Sequence, residues 1–155
     1  MYLADNSTDN FYTLDLTTGT ATVGGPMGSS NILGLVYIPG TGRLSRTVHG
    51  CGPTTIAVSG NPNIGDTVEF TIGGATGFPL IGFGQTQLGI PFCGCTIGHE
   101  WAVALFGANG SLTIPPSSVF IGANVYAQGM DFLGAGGCAD PMLTLTDTIT
   151  VAVGG

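Results

Sequence analysis

The chain has 155 residues, of which 43% are hydrophobic and only 7% charged, against about 25% charged in ordinary globular domains. Nine acidic residues face two cations, Arg43 and Arg46, with no lysine at all, for a formal charge of −7 and a pI near 4.1. That balance repels phosphate backbones, so nucleic acid is not an expected partner, and the apolar content excludes a charge-driven disordered chain. No run of about 18 apolar residues occurs, because Gly, Thr, Pro or Asn interrupts each one, so no membrane-spanning helix and no membrane insertion are expected. Most runs are also short, and the aromatics scattered, for the strands and girdles of a membrane barrel. The opening MYLADNSTDN has neither the basic nor the apolar region of a signal peptide. A secreted form is expected to have lost its signal or to derive from a longer precursor.

Four short strands are predicted in the first part of the chain: Tyr2 to Asp5, Asn10 to Asp15, Gly19 to Val23 and Leu33 to Ile38. Asp5, Asn6, Asp9, Asn10 and Asp15 gather oxygens there, but their spacing matches no standard calcium loop, and capping of turns is the simpler role. Tyr2, Phe11, Tyr12 and Tyr37 are the candidate ligand or assembly surface, either stacking on sugars or forming an apolar face that needs a cover. A seam is expected between Pro39 and Arg46, dividing the chain into segments 1–46 and 47–155.

The cysteines begin after the seam. Cys51, Cys93, Cys95 and Cys138 form an even set in a charge-poor β chain, which reads as two disulfides in an oxidising compartment. Three pairings are possible. On a strand, Cys93 and Cys95 would point the same way, and a bond between them would be strained, so each is expected to reach elsewhere. The favoured pairing is Cys51 with Cys95 and Cys93 with Cys138. His49-Gly-Cys51 and Cys93-Gly-Cys95 with His99 also offer zinc-type ligands. Disulfides use the same sulfurs without a metal, and no metal or other cofactor is expected.

Period-two alternation dominates the rest. Val68, Phe70 and Ile72 interleave with Thr67, Glu69 and Thr71, and Leu143, Leu145, Ile149, Val151 and Val153 interleave with threonines and Ala152; both are predicted as half-buried strands. Trp101 to Phe106 is apolar on both faces and reads as a central strand. It is followed by an Asn109-Gly110 turn and a returning strand from Leu112 to Ile114, a predicted hairpin. No window shows capped helical periodicity, so the chain is expected to be nearly all β.

Chemistry is sparsely signalled. On a strand Glu100 would point away from His99 and Trp101, which leaves no acid/base pair. Ser29-Ser30 and Ser117-Ser118 lie in no nucleophile elbow, and Gly73-Gly74 and Gly136-Gly137 precede no helix that would cradle a phosphate. No catalytic residue is therefore assigned, and the chain is not expected to be an enzyme. Asn6-Ser-Thr8 and Asn109-Gly-Ser111 are glycosylation sequons.

Two resemblances add to this reading. The first 45 or so residues resemble one blade of a β-propeller repeat: a strand ending in Asp5, then Phe11-Tyr12-Thr13-Leu14-Asp15 with Gly19 and Val23, then Asn31 to Pro39. One blade cannot bury both its faces, so the segment is expected to pack on the second part or on a neighbour. The part from about Cys51 to Gly155 resembles the C-terminal β-sandwich modules of large secreted proteins of planctomycete-type bacteria. The likeness rests on Cys51-Gly-Pro53, Gly65-Asp-Thr-Val-Glu-Phe-Thr-Ile72, Gly94-Cys95-Thr-Ile97, Asn124-Val-Tyr-Ala-Gln128 and Leu145 to Gly154. It implies an Ig-like antiparallel β-sandwich, here with an N-terminal β-meander extension, and an extracellular or cell-surface location. It transfers no catalytic residue.

Unguarded strand edges recruit other strands, and charges, lysine above all, normally guard them. With so few charges, the expected role is a structural subunit that self-assembles through strand pairing into a surface filament or sheath. The alternative is an adhesion module that binds a glycan or another surface protein.

Overall fold

The computed structural model describes residues 2–5, 10–15, 17–26, 40–139 and 142–155, with the backbone alone for residues 2–5 and for Phe11. The chain divides into two compact units, Met1–Pro39 and Gly40–Gly155.

The first unit carries a three-stranded antiparallel meander, β1 (Tyr2–Asp5), β2 (Asn10–Leu14) and β3 (Ala21–Pro26), in the order β1-β2-β3. Its second turn is built by side-chain capping. The Asp15 carboxylate accepts from the Thr17 N–H at 2.8 Å, Thr18 Oγ1 accepts from the Thr20 N–H at 3.3 Å, and Gly19 takes the φ of +70° that closes the turn. The fourth predicted strand, Leu33 to Ile38, and the sequon at Asn6 lie outside the described residues.

The second unit is a layered antiparallel sandwich. Its strands are β4 (Arg43–Val48), β5 (Thr55–Ser59), β6 (Thr67–Gly73), β7 (Phe78–Gly84), β8 (Gln87–Phe92), β9 (Cys95–His99), β10 (Val103–Phe106), β11 (Asn109–Thr113), β12 (Asn124–Phe132), β13 (Cys138–Ala139) and β14 (Met142–Ala152). The main sheet runs β10-β7-β12-β14, and β13 and β4 pair with successive stretches of β14's far edge. β4 spans the 46/47 boundary expected from the sequence, and by its pairing with β14 it belongs to this unit. A three-stranded sheet, β11-β6-β5, covers one face of the main sheet, and the β8–β9 hairpin covers part of the other.

Two cores result. Ile56, Val68, Phe70 and Ile72 meet Ile81, Phe83, Ala127, Ile149 and Val151 between the sheets, with Phe70 edge-on to Phe83 at 5.4 Å. Each of the Ile, Val and Phe side chains contributes on the order of 1.5–3 kcal/mol by leaving water. Under the hairpin, Cys95, Cys138, Leu143 and Leu145 form a second cluster, with Ile97, Trp101 and Met130 packed against it. One strand serves both cores. β14 bulges opposite Gln128 to Met130, which shifts its alternation by one residue. Leu143 and Leu145 therefore face the hairpin, while Ile149 and Val151 face the three-stranded sheet.

The expected hairpin at Asn109-Gly110 is not formed. Gly107, with φ +120°, turns the chain from the main sheet to the other: its N–H donates to Pro79 O, and Ala108 O accepts from the Ile72 N–H. Asn109 and Gly110 already lie in β11, opposite Thr71 and Phe70. Gly110 serves packing instead, since a Cβ there would lie 3.1 Å from Ile81 and 3.3 Å from Leu105. The two-residue hairpin sits at Cys93-Gly94, both with positive φ, between the paired residues Phe92 and Cys95. Cys93 and Cys95 are thus on a turn and its exit, and the disulfides join Cys51 to Cys95 and Cys93 to Cys138, with Cα separations of 4.9 and 5.6 Å. Two disulfides fit an oxidising, non-cytoplasmic environment. No helix among the described residues is long and apolar enough to cross a membrane.

Candidate interaction surface

The segment that leaves the hairpin decides where β10 lies. His99 is fully buried and stacks on Trp101, with ring centroids 5.7 Å apart and planes 15° apart. The floor beneath is glycine. A Cβ on Gly82 would stand 2.2 Å from the indole, and one on Gly84 would stand 3.0 Å from the imidazole, so the FPLIGFG sequence of β7 makes room for both rings. Glu100 follows β9, and its carboxylate accepts from the N–H groups of Gln85 at 2.6 Å and Thr86 at 2.6 and 2.7 Å. Desolvation alone would raise its pKa, but these donors outweigh that effect and hold the carboxyl below its ordinary value. Glu100 therefore clips the turn after β7.

From Trp101 the chain drops to the rim of the main sheet. The Ala102 N–H donates to Phe83 O, and β10 then pairs with β7 from Val103↔Phe83 to Phe106↔Leu80. Trp101 to Phe106 was expected as a central strand; β10 is instead the terminal strand of its sheet, and among the described residues β7 is its only strand neighbour. All four of its residues, Val-Ala-Leu-Phe, are exposed, Val103 at 57% and Phe106 at 87%. β10 itself carries no charge, proline or bulge, and among the described residues no strand pairs with its outward edge.

Two features adjoin the edge. Phe106 lies opposite Leu80, Phe78 lies two residues from Leu80, and Phe78 lies opposite Phe132. Antiparallel partners share a face and neighbours along a strand alternate, so the three phenylalanines lie on one face of the sheet, and all are solvent-exposed. On the other side of β10, between it and β11, the mouth of the sandwich leaves a groove of about 260 Å³ lined by Phe83, Val103, Leu112 and Val125, with Gln85 and Glu100 also on its wall.

The surface expected from the sequence is only partly described. Tyr12 is half-buried in β2, between Leu3 and Val23 in the register. The backbones of Tyr2 and Phe11 pair within the meander, and their side chains, like all of Tyr37, lie outside what the structure describes. The four sulfurs of the zinc alternative are in disulfides, and the described residues hold no cluster of metal-ligating side chains. Asn109 of the second sequon is exposed on the edge strand β11, where its Oδ1 accepts from Thr71 Oγ1 at 3.1 Å. The edge position of β10 escaped the sequence reading because an uncharged run apolar on both faces looks the same whether its cover is intramolecular or another chain. Compared with protein-family models, with curated proteins and with solved structures, the chain matches none.

Proposed function

We propose that this chain is a non-catalytic structural subunit of an extracellular assembly, related to the sandwich modules of secreted planctomycete-type proteins, which polymerises through strand pairing into a filament or sheath. The observation that supports this reading is β10, an uncharged edge strand whose four residues are all solvent-exposed. A second strand laid along it would take up its backbone groups, and the exposed phenylalanines beside it would be covered in the same contact. The net charge of −7 opposes association between copies, so assembly is expected to strengthen as salt screens it.

A second reading, an adhesion module for a glycan or a protein, is favoured by the groove between β10 and β11, whose apolar wall is of a size to accept a side chain or a small ligand.

A charge placed on the edge separates the two. Ala104→Lys and Phe106→Lys change exposed positions and should leave the fold intact, which circular dichroism would verify. If β10 builds the assembly, each variant is monomeric under conditions where the parent polymerises. Unchanged assembly in both variants would overturn the reading.

A further inference from the structure

We infer that His99 is a proton-operated latch, which holds the base of the β8–β9 hairpin on the main sheet when neutral and releases it in acid. The hairpin is fastened unequally at its two ends. At the turn, Cys93 and Cys95 are covalently bound to Cys138 and Cys51. At the base, where Gln87 pairs with His99, no covalent bond acts, and the imidazole is wedged over the glycine floor of β7 with Trp101 stacked beside it.

The wedge favours the neutral ring. Nδ1 is bonded to Glu100 O, which assigns the proton of the neutral ring to Nδ1 and the lone pair to Nε2. Nε2 is buried and, among the described residues, has no hydrogen-bond partner. A proton added there would create a buried, charged N–H that, among the described residues, makes no hydrogen bond in this geometry, with the Gly82 carbonyl as the backbone group that partly offsets its charge.

Few charges stand near enough to compensate. β8 carries no titratable residue; β12 carries Tyr126 and Asp131; β14 carries Asp147; β4 carries Arg43 and Arg46. Asp131 is engaged by the Thr76 and Gly77 N–H groups, and Asp147 by Arg46 and the Gly50 N–H. Glu100 is the one carboxylate whose charge bears on the ring, and its oxygens are held by Gln85 and Thr86. Burial therefore prevails over the Glu100 carbonyl and charge and the Gly82 carbonyl, and lowers the imidazole's affinity for a proton. An opened base, with the ring in water, binds the proton better, so acid shifts the population toward the open form. The disulfides keep the turn in place, and what opens is the sheet face beneath the base.

Trp101 is the only tryptophan in the chain and lies against the latch, so its emission reports the opening directly. The test follows Trp101 fluorescence and backbone amide exchange of residues 87–99 in the oxidised protein from pH 7.5 to 4.5, with exchange corrected for its intrinsic pH dependence. The latch predicts a red shift and at least a tenfold loss of protection at the hairpin base, while β6 keeps its protection. In His99→Gln both changes should vanish. If that variant does not fold, an NMR titration of the His99 ring in the parent decides, with a midpoint below that of free histidine and coincident with the opening. Hairpin protection independent of pH, or a His99 midpoint at or above the free value, would overturn the inference.

Discussion

Gln128 and Gly98 lie on different layers of the sandwich, and a buried hydrogen bond of 3.1 Å, from the Gly98 N–H to Gln128 Oε1, joins them. The same amide donates through Nε2 to Thr96 O and Thr146 O, both at 2.9 Å, so one fully buried side chain fastens β9 onto β12 and onto the bulge of β14. Removing it would orphan three backbone groups, each costing on the order of 1–3 kcal/mol when left unpaired. Gln128→Leu should therefore lose about 3 kcal/mol or more in urea unfolding, with the hairpin amides exchanging first. A loss below about 1 kcal/mol would mean that water replaces the amide.

Gly98 is needed for that approach. A Cβ there would stand 1.9 Å from Thr148 Oγ1 and 2.8 Å from its Cβ. Gly98→Ala is expected to cost about 1–3 kcal/mol through overpacking. Thr148→Ala removes the nearer atom, so the double variant should recover part of the loss, a coupling that a double-mutant cycle measures.

Much of this was legible in the sequence and some was not, for physical reasons. Alternation located β6 and β14, and the glycine-rich, helix-poor composition gave an all-β fold. The strand from Leu143 to Val153 looked like one half-buried face, because its apolar residues keep one parity throughout. The bulge that sends Leu143 and Leu145 to one core and Ile149 and Val151 to the other leaves no local mark, since it forms around Gly129 and Thr146 on different strands; the Gly129 N–H donates to Thr146 Oγ1 at 2.8 Å. Likewise Asn109-Gly110 has the composition of a tight turn, while Cys93-Gly94, which makes one, does not. The spacing Cys-Gly-Cys did show that neighbouring sulfurs should seek distant partners. The buried role of Gln128 had no signal short of the fold itself.

Stability should fall in acid in two stages. His99 has a lowered proton affinity in the folded state, so its contribution is complete above about pH 6.5 and declines as the pH falls below that value. Asp147 is held below its ordinary value by the Gly50 N–H first and by Arg46 at 2.9 Å, against the opposing effect of burial. Its contribution is complete above about pH 4 and is lost below it. Urea midpoints measured from pH 8 to 2 should show both declines. Asp147→Asn should flatten only the lower one and His99→Gln only the upper.

Each disulfide closes a loop, with sequence separations of 44 and 45. In the chain-entropy model each such loop stabilises by about 4 kcal/mol. The Cys93→Ser/Cys138→Ser pair should lower the unfolding free energy by a few kcal/mol and leave the β6 and β7 amides protected until global unfolding. Loss of all tertiary structure in that variant would show that the hairpin layer is required by the inter-sheet core.

Assembly is the central claim, and the mass of the natively purified, oxidised protein by light scattering tests it most directly. Strand pairing through β10 predicts large particles that grow with salt and dissociate, in denaturant with reductant, to about 15.6 kDa. A monodisperse 15.6 kDa monomer at every salt and concentration would contradict self-assembly and leave the groove between β10 and β11 as the site to titrate with ligands.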